Sequence, residues 1–213
     1  MKVMSHGKAV IVLVIIIGIT YWGKNTVAVE KAKYRVLEAQ GNIELRQYEP
    51  RIVAETFVDG DFEKVGNEGF RRLAAYINGN NRKKESISMT APVSQEYLSD
   101  KIAMTAPVSQ EEAGEKWRIT FVMPAEHSMA TLPEPIDSRV RLREEPGKFM
   151  AAIRYSGTWS RENYEKHKAK LVEFLLKRDL RAIGEPVWAR YNPPFMPWFL
   201  RRNEVLIAYE AIK

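Results

Sequence analysis

Hydrophobic and polar positions divide the chain unevenly. The first 28 residues hold one uniform apolar run, and the rest alternates short strand-like stretches with two amphipathic helical ones. The run, Ala9 to Trp22, reads AVIVLVIIIGITYW without a charge. It is shorter than the roughly 20 residues that span a bilayer comfortably. Lys2 and Lys8 precede it and small residues (Thr26, Val27, Ala28) follow it, the layout of an export signal. The alternative is an uncleaved anchor, with Tyr21 and Trp22 at the interface and the lysines kept cytoplasmic. A third reading is a buried core strand or helix. The first two agree on organisation: residues 1–28 form a signal or anchor segment, and residues 29–213 form one domain facing the exported side.

Within that domain the pattern repeats on two scales. Ile87-Ser88-Met89-Thr90-Ala91-Pro92-Val93-Ser94-Gln95-Glu96 recurs 15 residues later as Ile102-Ala103-Met104-Thr105-Ala106-Pro107-Val108-Ser109-Gln110-Glu111. Each copy alternates and then meets Pro, so the spacing predicts two strands stopping at the prolines and joined as a hairpin. Trp117 to Met123 reads as the next strand. A quieter register of 97 residues places Ile43-Glu44-Leu45-Arg46 on Val140-Arg141-Leu142-Arg143, and Gly60-Asp61-Phe62 on Gly157-Thr158-Trp159. Each copy is a strand pair ending at Gly, then an aromatic and a helix. The first helix is predicted over Glu63 to Asn78, stopped by Asn78-Gly79-Asn80-Asn81. The second starts behind Ser160, an N-cap residue, and runs to about Leu180. Its buried stripe is Tyr164, Leu171, Phe174 and Leu175. Strands at Pro186–Arg190 and Glu204–Tyr209 follow. The fold class is therefore α+β, two β–β–α–β–β halves sharing one antiparallel sheet, with a ligand crevice expected between them.

Composition narrows the chemistry. The 213 residues hold no Cys and three His, which excludes disulfide scaffolds, thiol nucleophiles, Cys-based metal sites and multi-His centres. No Ser/His/acid spacing, phosphate-cradling glycine run or pair of carboxylates in an apolar frame stands out, so the sequence predicts a binding protein and not an enzyme. Residues 29–135 carry a net charge of −3 and residues 136–213 a net +6. The basic residues of the latter are interleaved with acids at helical spacing, a solvated face, so no nucleic-acid partner is expected.

One loop is unusual. Residues 192–202, NPPFMPWFLRR, place Phe195, Met196, Trp198 and Phe199 where a loop is ordinarily polar, and close with Arg201 and Arg202. A flat apolar ligand carrying carboxylates needs that mixture. Equally, the aromatics would serve to cap the end of the core. Glu204 stands alone beyond them, either as a site for a cationic ligand or as the partner of Arg201 or Arg202; pairing is the preferred reading.

Gln47-Tyr48-Glu49-Pro50-Arg51, the Asn78-Gly79-Asn80-Asn81 turn, the doubled Met-Thr-Ala-Pro-Val, and Tyr191-Asn192-Pro193-Pro194-Phe195 with Arg201-Arg202-Asn203-Glu204-Val205 make the chain resemble the SOUL/haem-binding protein family from about Val36 onward. The resemblance implies a distorted antiparallel β-barrel flanked by two helices, similarity to effector-binding domains of bacterial drug-sensing regulators, and haem or another tetrapyrrole as ligand. It places the pocket between the first helix and the apolar loop. The implied site residues are Phe70, Arg71, Leu73, Ala74 and Ile77 on the helix, with Phe195, Met196, Trp198, Arg201 and Arg202 on the loop. The cationic positions that the resemblance implies on the helix fall on Asn67 and Ala75, which leaves the loop arginines for the propionates. His167, on the second helix at the place of Phe70 in the 97-residue register, is the candidate iron ligand, with a hydrogen-bonded core-edge role as its alternative. Met89 and Met104 are expected in the core.

The expected function is reversible, non-covalent binding of haem or another tetrapyrrole at the cell envelope, for transport, buffering or scavenging. Residues 9–22 would provide the membrane contact. The alternatives are a binding module for amphipathic or cationic small molecules and an envelope protein-interaction domain.

Overall fold

Two glycines 97 residues apart hold the same unusual backbone, Gly60 at φ +127° and Gly157 at φ +125°. Each turns the chain from a strand toward a helix through a region that residues with a Cβ rarely enter. The computed structural model describes residues 30–97, 116–193 and 195–211. The elements are β1 (Tyr34–Gln40), β2 (Ile43–Tyr48), β3 (Arg51–Asp59), α1 (Phe62–Ile77), β4 (Val93–Tyr97) and β5 (Lys116–Val122) in the first half. The second half holds β6 (Val140–Glu145), β7 (Lys148–Tyr155), α2 (Arg161–Leu176), β8 (Leu180–Arg190) and β9 (Asn203–Ala211).

The described strands form one sheet in the order β1-β2-β7-β9-β8-β4-β5-β3-β6, antiparallel throughout. The halves meet where β4 pairs with β8. Each half also lends its first repeated strand to the other: β2 lies on β7, and its counterpart β6 lies on β3. Equivalent arginines pin both lent strands. Arg46 of β2 reaches Glu204 of β9, and Arg143 of β6 reaches Glu55 of β3 at 3.0 Å. The outer strands β1 and β6 do not pair with each other, so the expected barrel is an open, curled sheet.

Apolar residues fill both faces. α1 packs on β3 and β5, and α2 on β7, β8 and β9. Beneath them lies the main core, with Leu73, Ile77, Ile119, Phe121, Leu171, Leu175 and Trp188. Phe62 stacks on Trp188 at 4.7 Å and meets Trp117 edge-on. Strand alternation sends Tyr48, Val53, Met150, Ala152 and Leu206 to a second cluster on the opposite face. Ser160 caps α2, its side chain accepting from the Asn163 amide at 3.3 Å. Three of the four predicted stripe residues of α2 are buried; Phe174 is half-buried beneath the Arg178 guanidinium.

Three boundaries differ from the sequence expectation. The first Met-Thr-Ala-Pro-Val copy joins the sheet only after Pro92, as β4. Before it, backbone groups are engaged elsewhere: Ile87 N–H donates to the Ile77 carbonyl at 2.7 Å, and Ala91 N–H to the Glu30 carbonyl at 2.9 Å. The second copy and the predicted hairpin turn lie outside the described residues. α2 ends at Leu176, because the chain turns left-handed at Asp179 (φ +53°) and enters β8 at Leu180. β8 is longer than predicted, carried past an irregularity between Ile183 and Val187.

Candidate functional site

α1 carries glycines at positions 66 and 69, each costing about 1 kcal/mol relative to Ala inside a helix. Both are explained by close approach. A Cβ at Gly69 would fall inside the Ile119 side chain, so its absence lets α1 settle on β5. A Cβ at Gly66 would lie 2.7 Å from Nη2 of Arg190, so its absence lets a guanidinium rest against the helix.

Beside these glycines opens a cavity of about 310 Å³. One wall is α1, with Gly66, Asn67 and Phe70. Met89, Ala91, Val93 and Gln95 form the second, Ile119 and Trp159 the floor and flank, and Arg190 to Pro193 the third wall. Phe70 meets Phe121 edge-to-face at 5.4 Å. Trp159 is fixed by its indole N–H, which donates to the Asn203 side chain at 2.8 Å.

Arg190 is the charged residue of this lining. Its Nη2 donates to Oε1 of Gln95 at 2.8 Å, and Gln95 is oriented by donating to the Phe62 carbonyl at 3.0 Å. The guanidinium lies 3.8 Å from the Trp188 ring centre and 5.1 Å from that of Trp159. Its Nε is buried with no acceptor. Burial pushes its pKa down to about 10, still protonated at neutral pH. Among the described residues no carboxylate pairs with it and none lines the cavity.

A second basic cluster lies nearby and is fully engaged. Glu204 is buried and accepts from Arg46 twice (2.7 and 3.0 Å), from Arg202 twice (3.0 and 2.7 Å) and from the Tyr191 hydroxyl at 2.7 Å. Burial alone would raise its pKa; the Arg46 hydrogen bonds and charge outweigh this and hold it down. Glu204 therefore pairs with Arg202, as preferred from the sequence, and with Arg46, which the sequence reading did not anticipate. A wider cleft of about 760 Å³ lies along Glu30–Lys33, Arg51, His127 and Glu145. Arg51 and Glu145 in its wall neutralise each other at 2.7 Å.

The structure distributes the sequence-derived site residues unevenly. Phe70 lines the cavity. Leu73 and Ile77 are buried in the main core and Ala74 packs against it. Arg71 is exposed and bonded to Glu68. The apolar loop leaves the cavity wall at Pro193, and its aromatics do not fill the core: Phe195 is 85% exposed and Trp198 57%. The Met196 carbonyl accepts from Nε of Arg201 at 2.8 Å, and the Arg201 guanidinium lies 4.3 Å from the Trp159 ring. Phe195, Met196, Trp198, Arg201 and Arg202 do not line the cavity.

His167 lines none of these spaces. Its Nδ1 is 2.7 Å from the Asn163 carbonyl, its ring stacks on Tyr155 at 3.9 Å, and burial lowers its pKa. These contacts are those of a hydrogen-bonded residue at the edge of the core. Met89, expected in the core, is instead 40% exposed and lines the cavity; Met104 lies outside the described residues. Arg190, Trp159, Gly66 and Met89 were missed as site residues. Paired glycines inside a helix were the available signal, and Arg190 gave none, alternating with Trp188 along an ordinary strand.

The described strands form an open, curled nine-stranded sheet of an α+β fold, with the cavity beside α1. A profile of the SOUL heme-binding protein family matches residues 29–208, and the chain belongs to that family. It is 26% identical over 164 residues to Heme-binding protein 1 of Xenopus laevis, covering 76% of this chain and 80% of that one. To Heme-binding protein 2 of Homo sapiens it is 26% identical over 174 residues, covering 77% and 80%. Among solved structures, the EcmrR C-terminal domain superposes with a TM-score of 0.55 at 10% identity, over 84% of this chain and 99% of that one. A hydrolase of Listeria innocua superposes with a TM-score of 0.54 at 12% identity, over 89% and 97%. These two likenesses concern the fold alone.

The cavity suits a tetrapyrrole in its apolar and aromatic walls and in the unpaired guanidinium. Among the described residues no group of three or more acidic or His side chains could hold a free metal ion. The lining side chains with an atom able to meet iron are Met89 and Tyr191, and the Tyr191 hydroxyl is tied to Glu204.

Proposed function

We propose that the protein binds haem or another tetrapyrrole reversibly in the cavity beside α1, and does so at the cell envelope in transport, buffering or scavenging. The observation that carries this is the cavity itself, lined by Phe70, Ile119, Trp159 and other apolar side chains and free of acidic side chains among the described residues. Phe70, Ile119 and Trp159 would hold the macrocycle by contact and exclude water. The exposed aromatics continuing from Pro193 supply apolar surface for the part of a flat ligand that 310 Å³ does not enclose. The names of the relatives point to the same ligand class.

The envelope location rests on the apolar run at residues 9–22 behind Lys2 and Lys8. That run lies outside the described residues, and no described helix is long and apolar enough to cross a membrane. A cationic ligand is disfavoured, because Glu204 is saturated by its own arginines and the cavity wall is positive. Titration of the full-length chain with haemin, followed by Soret absorbance, tests the ligand reading; no saturable spectral change would overturn it. A fusion reporter placed after Val29 tests the location, and activity only in the cytoplasm would overturn that part.

A further inference from the structure

The cation in this cavity is half-buried and belongs to its lining. Arg190 comes from the end of β8 and is wedged between the Gly66 backbone and the Trp188 ring, in contact with the lining and sharing the Trp159 ring with Arg201. One of its amines is satisfied by Gln95, while Nε is sealed from solvent without an acceptor. A buried charge ordinarily has a carboxylate partner, because desolvation is otherwise uncompensated. Arg46, Arg51, Arg143 and Arg202 all have one; Arg190, among the described residues, does not. Nor, among the described residues, does the lining offer an iron-binding side chain other than the weakly donating Met89 thioether, since the Tyr191 hydroxyl is engaged.

We infer that Arg190 is a carboxylate site within the cavity lining, so that a tetrapyrrole enters acid-edge first. This rests on the tetrapyrrole reading above. The guanidinium offers charge-assisted hydrogen bonds to a planar carboxylate, and the aromatic rings around it exclude the water that would weaken them. The loop arginines, held by Met196, Trp159 and Glu204, are then secondary.

The test compares protoporphyrin IX, its dimethyl ester and haemin on the full-length chain in a non-ionic detergent, by fluorescence quenching and absorbance. Diacid-to-diester affinity ratios are compared between variants, so that partition into micelles cancels. Wild type is expected to prefer the diacid at least about tenfold. Arg190→Gln should reduce that preference to less than about threefold while leaving diester affinity unchanged. Gly66→Ala keeps the charge and favours the helix, yet pushes the guanidinium off its seat; it should lower the preference too, with the melting temperature retained. Thermal melting of both variants confirms that folded protein is compared. A preference that survives in Arg190→Gln, or an equal loss for acid and ester, overturns the inference alone. Failure of the wild type to bind any of the three porphyrins overturns the tetrapyrrole reading and the inference with it.

Discussion

Arg46 and Glu204, 158 positions apart in the chain, meet side by side in the interior, Nη1 to Oε2 at 2.7 Å and Nη2 to Oε1 at 3.0 Å. The pair ties the lent strand β2 to β9 across β7, and Arg202 and Tyr191 close the other sides of the carboxylate. Glu204→Gln would leave the Arg46 charge buried with only Glu44 beside it, while Arg202 can turn toward solvent. Removing one member of such a pair costs about 3–5 kcal/mol. Urea unfolding should show that loss, and an additional Arg46→Met substitution should recover part of it. A loss below about 1 kcal/mol would show that the cluster does not hold the halves together.

Acid should weaken the fold through Glu145. Burial alone would raise its pKa, but Arg51, Lys148 and Arg143 outweigh burial and hold it down, from 4.5 to about 2. A depressed folded pKa stabilises the protein fully above 4.5, and that contribution disappears as pH falls from 4.5 toward 2. Its size is on the order of 3 kcal/mol. Melting temperature should therefore fall across that window, and in Glu145→Gln the part of the fall due to this group should be missing. An identical acid profile in the variant would refute the assignment.

The candidate iron ligand on α2 should be dispensable. His167 lies under Tyr155 and is bonded to its own helix through Nδ1, and it lines neither the cavity beside α1 nor the wider cleft. His167→Ala should leave the Soret maximum and haemin affinity unchanged within about twofold, with a stability cost of about 1–2 kcal/mol from the lost stack. Conversion of a six-coordinate to a five-coordinate spectrum in that variant would make His167 a ligand.

The architecture was legible because it is written twice. Gly60 and Gly157, and Arg46 and Arg143, fall on one register, and each copy's polarity pattern fits a strand pair and a helix. The exchange of β2 and β6 was not legible, since alternation gives a strand two faces but says nothing about its neighbours. Of the candidate site, Phe70 of α1 and the start of the loop after Tyr191, both named from the sequence, line the same cavity. Which side of α1 faces it was not legible. Leu73 and Ile77 read as ligand-facing because they are apolar, yet apolarity marks the core equally well. Asn67, the uncharged residue on which a cationic position implied by the resemblance falls, does line the cavity. The cation arrives from β8 instead, through long-range packing that no local pattern encodes.

The apolar loop separates a ligand contact from a structural cap. Trp198 is 57% exposed and meets Phe199 edge-on at 5.5 Å, in a 3-10 turn held by the Gly157 N–H bond to the Trp198 carbonyl at 3.0 Å. Backbone bonds of this kind survive truncation of the ring. Trp198→Ala should therefore change unfolding free energy by less than about 1 kcal/mol, the range for exposed positions. A tetrapyrrole resting against the loop would bury that ring, so the same substitution should weaken haemin binding by about 1–3 kcal/mol. Arg201→Ala should have a smaller effect on binding, because its guanidinium already lies on Trp159 and its Nε on the Met196 carbonyl. Melting curves and haemin titrations on the two variants together decide the matter. A large drop in melting temperature with unchanged affinity would return the loop to the core, and unchanged affinity with an unchanged melt would remove it from the site.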